Sequence, residues 1–316
     1  MIESLPLWLD GRVVMQRPAK PFTPVRFRLQ PPNVMKIGII GFGFVGKALK
    51  NGLKNDVSCI EIDPKLNTNI HDLIDYKPDI VFVCLPTPMN DDGTQNIDIV
   101  NNVIAEINTF DSNLLIVLKS TILPKYVKDI SKISKNLVIN PEFLREKFAD
   151  KDFVNSNIIV FGGDEHNCNK LSSFYKNHTK CVCNEHIITD GITASLIKYT
   201  INSFLALKVI FFNEMKFIFD NLNSQSKWSD FINALSKDKR IGDSHMNVPG
   251  PDGRYGFGGP CFPKDVSALI EYSKEIGFEL SLLKKANTIN NNIRAQYNDL
   301  TEREKEQNIK YNSEKE

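Results

Sequence analysis

Met35-Lys36-Ile37-Gly38-Ile39-Ile40-Gly41-Phe42-Gly43-Phe44-Val45-Gly46 decides the reading of this chain. A short apolar strand over residues 36–41 runs into a glycine-rich turn, after which Val45, Leu49 and Leu53 share one helical face. In a strand–turn–helix unit of this kind Gly41 permits the tight turn, Gly43 lets the backbone approach a pyrophosphate, and Gly46 packs helix on strand. The helix N-terminus adds N–H donors and positive potential for phosphate. A second strand over residues 59–62 ends at Asp63, roughly twenty residues beyond the turn, where dinucleotide sites place a ribose-binding acid. Asp63 would accept from the ribose 2′-hydroxyl and repel a 2′-phosphate, which favours NAD over NADP. Lys65 close by weakens that preference. A purely structural βαβ turn could carry the same glycines; the strand, the helix and the acid together favour the cofactor site.

Further along, residues 80–85, 114–118, 137–139 and 158–161 are short, nearly continuous apolar strands separated by helical stretches. That pattern predicts an α/β fold with a parallel sheet covered on both faces. Near Asp190 the character changes. Residues 192–220 read as one long helix, and the rest to about Ile293 is helical apart from a glycine-rich loop at 249–263. The predicted organisation is a poorly ordered Pro-rich extension (1–34), a nucleotide-binding domain (35–190), a helical central domain (191–300) and a charged, solvated tail (301–316).

A chain of 316 residues has room for about two cores. A hydrophobic share of 41% and a charged share of 24% are those of an ordinary globular protein, and a net charge of +1 gives no electrostatic reason to bind nucleic acid or a membrane surface. The longest apolar-rich stretch, 201–219, is broken by Asn202, Ser203, Lys208, Asn213, Glu214 and Lys216. It reads as a buried or interface helix, short of the roughly 18 apolar residues of a membrane span. Six cysteines without a secretory leader predict reduced thiols and a cytoplasmic setting.

The second informative run is Phe257-Gly258-Gly259-Pro260-Cys261-Phe262-Pro263-Lys264-Asp265. A cysteine beside a cation is biased toward thiolate, the form that attacks carbonyl carbon. A Gly-Pro turn with an inert buried cysteine is the competing reading. A nucleotide-binding turn in the same chain tips the balance toward redox chemistry through a covalent intermediate.

With these residues in hand, the chain resembles the UDP-glucose/GDP-mannose dehydrogenase family. Beyond the glycine turn the matching motifs are Val83-Cys84-Leu85-Pro86-Thr87-Pro88, Lys119-Ser120-Thr121 with Pro124, and Asn140-Pro141-Glu142-Phe143-Leu144-Arg145-Glu146. Then come Lys198-Tyr199-Thr200-Ile201-Asn202, Asn213-Glu214, Arg240-Ile241-Gly242 and the cysteine loop, whose Phe-Gly-Gly looks closer to the UDP-glucose branch. The resemblance implies a Rossmann-type doubly wound sheet, a helical dimerisation domain, and oxidation of a nucleotide-sugar primary alcohol to a carboxylate by two successive NAD⁺. It makes Cys261 the nucleophile, with Lys198 and Asn202, one turn apart on one helix face, stabilising the oxyanion. Thr121 and Asp265 would hold or deprotonate the water, and Glu146 would serve as acid/base with Glu142 nearby. The implied cofactor set adds Phe44, Val45, Pro86, Thr87, Ser120, Thr121 and Lys264 to Gly41, Gly43, Gly46, Asp63 and Lys65. The implied substrate set is Phe143, Leu144, Arg145, Lys198, Asn202, Arg240, Phe257 and Gly258. Arg240 would reach a neighbouring subunit's sugar site, which implies a homodimer through the 192–220 helix; an ordinary surface arginine is the alternative.

Two departures qualify the resemblance. The family carries a second nucleotide-binding domain after the central helices, whereas this chain ends shortly after Ile293, so many contacts to the nucleotide of the substrate are expected to be missing. An NAD-binding module that needs a partner chain, and a dehydrogenase for another nucleotide sugar (UDP-N-acetylmannosamine or GDP-mannose), therefore stay open as alternatives. Ser195 stands where the family usually has glutamate, which puts local helix packing in question. His166, Cys168, His178, Cys181, Cys183 and His186 crowd one region, but their spacing fits no standard zinc site, and Cys181-Val182-Cys183 fits alternate positions on a strand. No metal is expected.

Overall fold

The apolar runs read from the sequence form the middle of a seven-stranded sheet in the order β2-β1-β3-β4-β5-β6-β7. The computed structural model describes residues 34–222 and 224–312, so the reading of the first 34 residues falls, except for Val34, outside the described residues. The alternating first part comprises β1 (Met35–Ile40), α1 (Phe44–Asn51), β2 (Val57–Ile62), α2 (Asp72–Tyr76), β3 (Ile80–Val83), α3 (Asp98–Phe110), β4 (Leu115–Leu118), α4 (Pro124–Ile133) and β5 (Leu137–Ile139). After these come α5 (Ala149–Val154), β6 (Val160–Gly163), α6 (Glu165–His178) and β7 (Ile187–Thr189). The helical part is α7 (Gly191–Asn221), α8 (Trp228–Leu235), α9 (Phe262–Glu275), α10 (Ser281–Arg294) and α11 (Glu302–Glu306).

Alternation along the strands divides the core in two. Val81, Val83, Ile116 and Leu118 pack on one face with Val100, Ile104 and Ile130 of α3 and α4. Ile80, Phe82, Leu115 and Val117 pack on the other with Leu49 of α1, Phe153 of α5 and Leu171 of α6. Both sets are fully buried, which is why these strands read as continuous apolar runs.

Three expectations are corrected. The sheet is parallel except between β5 and β6, which run antiparallel with Val138 opposite Gly163 and Ile139 opposite Gly162. Cys181 and Cys183 lie in irregular backbone rather than on a strand; the strand of that region is the three-residue edge strand β7, too short and too exposed to show a period. Residues 301–312 are not a solvated tail. Thr301 and Glu304 form a capping box at α11, Glu304 is only 1% exposed and accepts from Gly259 N at 3.0 Å, and Ile309 is buried.

By length and composition α7 could cross a membrane, contrary to the count of its polar interruptions. Its position shows a core helix. Gly191 lies against Val127 and Ile139, Ser195 Oγ donates to the Ile122 carbonyl, and Lys198 Nζ donates to the Glu142 carbonyl at 2.5 Å. Ser195 thus ties the helix to the segment between β4 and α4. The 31-residue helix, about 45 Å long by its rise, then packs with α9 and α10 around Ala206, Ile210, Phe257, Val266 and Leu283. In the Cys/His-rich region Cys168 is a core thiol, His178 pairs with Asp56 at 2.9 Å, and His186 meets Ser172 at 2.8 Å. Among the described residues no group of three His, Cys, Asp or Glu side chains is placed to hold a metal.

Candidate active site

A cleft of about 710 Å³ opens at the carboxyl ends of β1, β3 and β4, where the strand order reverses from β2-β1 to β3-β4. That crevice is where doubly wound sheets bind ligands. Gly41 has φ +87°, and a Cβ there would lie 2.6 Å from the Cys84 carbonyl oxygen, so only glycine fits. A Cβ on Gly43 would meet no protein atom and would project into the space where a ligand approaches. Helix α1 begins with no side-chain cap and no acidic residue in its first turn, which leaves its N–H donors directed at the cleft for an anion. Gly46 packs against the Gly41 carbonyl and Ile39. Asp63 is fixed at the end of β2 by Phe42 N (2.8 Å) and Lys65 N (2.9 Å), and both Asp63 and Lys65 line the cleft. A dinucleotide fits this set: the turn for its phosphates, Asp63 for its ribose. Asp63→Ala is expected to weaken NAD binding about tenfold and narrow its margin over NADP, as loss of a hydrogen bond to a charged group implies; titration with both cofactors checks it, and unchanged affinities would exclude the ribose contact.

Phe44, Val45, Pro86, Thr87, Ser120 and Thr121 line the same cleft. The Thr121 carbonyl accepts from Thr87 Oγ1 (2.9 Å) and from Gln95 Nε2 (2.8 Å), while Gln95 Oε1 accepts from Leu123 N (2.9 Å). Gln95 is buried and clamps the strand ends together. No spacing rule in the sequence singled it out.

Cys261 enters the other end of the cleft at the N-cap of α9. Behind it lie two buried ion pairs, Lys198 with Glu142 at 3.1 Å and Lys264 with Asp265 at 2.6 Å, and Asn202 Nδ2 donates to Asp265 at 2.6 Å. Burial alone would lower the Lys198 amine; Glu142, Cys261 and Asp265 outweigh it and hold the group above its ordinary range as an ammonium. The cysteine behaves differently from the sequence expectation of a thiolate. Burial first, then the Glu142 carboxylate, pushes its thiol up to about 12 against the opposing pull of Lys198 and Lys264. It is a protonated thiol until a reaction removes the proton.

The remaining predicted residues separate. The Phe143 ring lies 5.4 Å from Lys198 Nζ, and Leu144 N donates to Glu142 at 2.6 Å, so both frame the ion pair. Arg145 turns to Asp152 in a two-pronged contact at 2.7 and 2.9 Å. Glu146 does not line the cleft with Cys261; it accepts from Arg303 Nε at 2.9 Å. Arg240 has a side chain 90% exposed and folds back on Asp238. Phe257 N donates to Asn290 at 2.6 Å, and a Cβ on Gly258 would strike the Arg294 guanidinium. Arg294 itself is buried and holds Asp252 (2.6 Å) and the Gly256 carbonyl (3.2 Å). Asn290 and Arg294 support the cysteine loop and escaped the sequence reading. Their signal is the four-residue spacing with Ala286 on the buried face of α10.

Comparison with known proteins agrees with this geometry. Residues 65–179 match the profile of the NAD binding domain of the UDP-glucose/GDP-mannose dehydrogenase family, and residues 192–292 match that family's central domain. A UDP-glucose 6-dehydrogenase of Rickettsia bellii is 33% identical over 291 residues, spanning 79% of this chain and 65% of that protein. A putative UDP-glucose 6-dehydrogenase of Bacillus subtilis is 31% identical, spanning 81% of this chain and 67% of the relative. Among solved structures, a UDP-glucose dehydrogenase of Pyrobaculum islandicum superposes with a TM-score of 0.68 at 25% identity, over 83% of this chain and 69% of that one. The chain therefore spans about two thirds of the length of these relatives.

Proposed function

Because the chain belongs to the UDP-glucose/GDP-mannose dehydrogenase family and carries its NAD-binding domain, we propose that it oxidises the primary alcohol of a nucleotide sugar, UDP-glucose, to the carboxylate in two steps. The observation that carries this reading is the convergence of Cys261 with Lys198, Asn202 and Asp265 at one end of the cofactor cleft. NAD⁺, when bound, accepts one hydride in each oxidation. Lys198, held as an ammonium by Glu142, and Asn202, oriented by Asp265, present donors to an oxygen that gains negative charge. As the Cys261 sulfur bonds to the aldehyde carbon its proton passes to the carbonyl oxygen, which gives a thiohemiacetal; oxidation of that adduct, with loss of a hydride from carbon and the proton from its hydroxyl to solvent, leaves a thioester. Water, held by Thr121 and Asp265, adds to the thioester carbon, and the C–S bond breaks to release the acid and restore the thiol. In the present arrangement Glu142 is the carboxylate that faces the sulfur, and Glu146 joins the chemistry only by leaving Arg303.

In this reading residues 35–190 bind the cofactor and 191–300 supply the catalytic helices and a homodimer contact. The exposed Leu196, Phe204, Phe211 and Phe217 of α7 give that contact an apolar face, and the outward Arg240 fits a role in the partner's site. A second reading is a module that needs another chain for turnover, to which the exposed apolar face of α7 and the outward Arg240 would also be suited. NADH counted against sugar consumed, over a panel of nucleotide sugars, separates the two. Two NADH per UDP-glucose is the expected result. Two NADH from a different sugar alone would reassign the substrate, and silence across the panel with NAD bound would leave the second reading.

A further inference from the structure

We propose that Gln95 is a positioning residue for the last step of the reaction: it sets the backbone of Thr121 so that the threonine can hold the water that hydrolyses the thioester. The proposal rests on the reading above in which Thr121 and Asp265 hold that water. Thr121 lies in the irregular stretch between β4 and α4 and lines the cleft with Cys261. Side chains hold the polar groups of that stretch. Thr87 Oγ1 and Gln95 Nε2 donate to the Thr121 carbonyl at 2.9 and 2.8 Å, Ser195 Oγ donates to the Ile122 carbonyl, and Gln95 Oε1 accepts from Leu123 N at 2.9 Å. Gln95 supplies two of these bonds, to partners opposite in kind. Thr121 offers an oxygen and Leu123 an N–H, so an amide placed one way round satisfies both. At 5% exposure, Gln95 has no bulk water to replace either partner.

The glutamine is itself held. Asn90 N donates to the Thr94 carbonyl at 2.8 Å and Asn96 N to the Pro88 carbonyl at 2.9 Å, which closes a small hairpin in the loop after β3. Tyr126 Oη, from α4, donates to the Gln95 carbonyl at 3.2 Å. The clamp also reaches the catalytic helices. Leu123 packs with Tyr199, next to Lys198 on α7, and with Ala268, three residues beyond Asp265 on α9. Thr121 and Asp265, the two groups assigned to the water, are therefore set against one another through Gln95 and Leu123. In the step concerned the water oxygen bonds to the acyl carbon and the C–S bond breaks. Sulfur takes one of the water's protons, and the acid releases the other to solvent. Neither oxidation uses this water, so a misplaced Thr121 should slow hydrolysis and leave acyl-enzyme behind.

Rapid-quench samples of the full chain with NAD⁺ and UDP-glucose test the assignment, with acid measured by chromatography and the acyl group on Cys261 by intact mass. Gln95→Met is expected to slow acid release about tenfold, the scale of one lost hydrogen bond. It should also give a burst of NADH ahead of acid and an acyl adduct that the unsubstituted chain does not accumulate. Gln95→Asn keeps both polar groups on a stem one carbon shorter; it should trap the adduct to a smaller extent and carries the test if the methionine variant fails to fold. If Gln95 acts through Thr121, Gln95→Met should slow acid release no further in a Thr121→Val background. Slower acid release without an adduct, or the same slowing in both backgrounds, marks a merely structural glutamine and overturns the proposal. Unchanged acid release in Thr121→Val would remove the water-holding threonine, and no acid from the unsubstituted chain would remove the reaction itself; either result takes the proposal with it.

Discussion

Cys261→Ser is expected to lower acid formation by at least about a thousandfold, the scale of losing a covalent nucleophile, while leaving NAD affinity unchanged. The geometry makes the two readouts separable. Cys261 sits at the N-cap of α9, at the end of the cleft away from Asp63, and no hydrogen bond of the glycine turn involves it. A serine hydroxyl can occupy the sulfur's place but is a far weaker nucleophile without a base beside it. The side chains behind it, Lys198 and Asn202, are oriented as donors rather than acceptors. The quantity to measure is the carboxylate product, by chromatography, because the first oxidation does not need the sulfur and NADH alone would mix the two steps. Undiminished acid from the serine variant would remove Cys261 as the nucleophile.

Asp265→Ala is expected to cost about 3–5 kcal/mol of stability, the range for breaking a buried ion pair by deleting one partner. Asp265 is 1% exposed; one of its oxygens meets Lys264 Nζ at 2.6 Å and the other accepts from Asn202. Alanine therefore leaves a buried ammonium and a buried amide without their acceptor. Against the 5–15 kcal/mol of a typical domain, that loss should move the urea midpoint well to the left. The double variant Asp265→Ala with Lys264→Met removes the stranded charge and should recover much of the loss. Recovery is the sharper half of the test: if the double variant is no more stable than the single one, the cost lies in the cavity and not in the unpaired charge. Either variant should also slow turnover, because Asn202 loses its orientation.

The central strands and the glycine turn were legible because burial on both faces forces unbroken apolar runs and because φ +87° at Gly41 admits no other residue. Lys198 and Asn202 were legible through helical spacing. What stayed hidden depends on partners distant in sequence. The direction of β6 follows from packing, since a strand pattern looks the same read either way. Glu304 stands in a run of charges that predicts solvent, and its acceptor role for Gly259 N emerges only when the chain closes. The protonation of Cys261 is hidden for a related reason: Lys264 is visible three residues on, whereas burial and Glu142, which dominate, come from the fold. Gln95 and Arg294 satisfy backbone groups, and backbone leaves no mark in a sequence.

The reversal between β5 and β6 has a consequence for how the site is addressed. Because β6 and β7 run against the first five strands, α7 starts level with Ile139 and climbs: Gly191 meets Ile139, Ser195 meets Ile122, Lys198 meets Glu142, and Asn202 meets Asp265. These rungs are counted from Asp190, whose carboxylate caps the helix through Thr193 N at 2.9 Å and so fixes the origin of the screw. One extra residue between Ser195 and Lys198 would swing the amine and the amide by about 100° and lift them about 1.5 Å, carrying both out of the site with every side chain unchanged. The same residue added beyond Asn202 would leave them in place and turn the later rungs instead, Ala206 and Ile210 against α9 and α10 together with the outward Phe204, Phe211 and Phe217. The Lys198–Asn202 pair is thus specified by rotational phase as much as by identity, and an added residue should disturb the site on one side of Asn202 and the packing on α9 and α10 on the other.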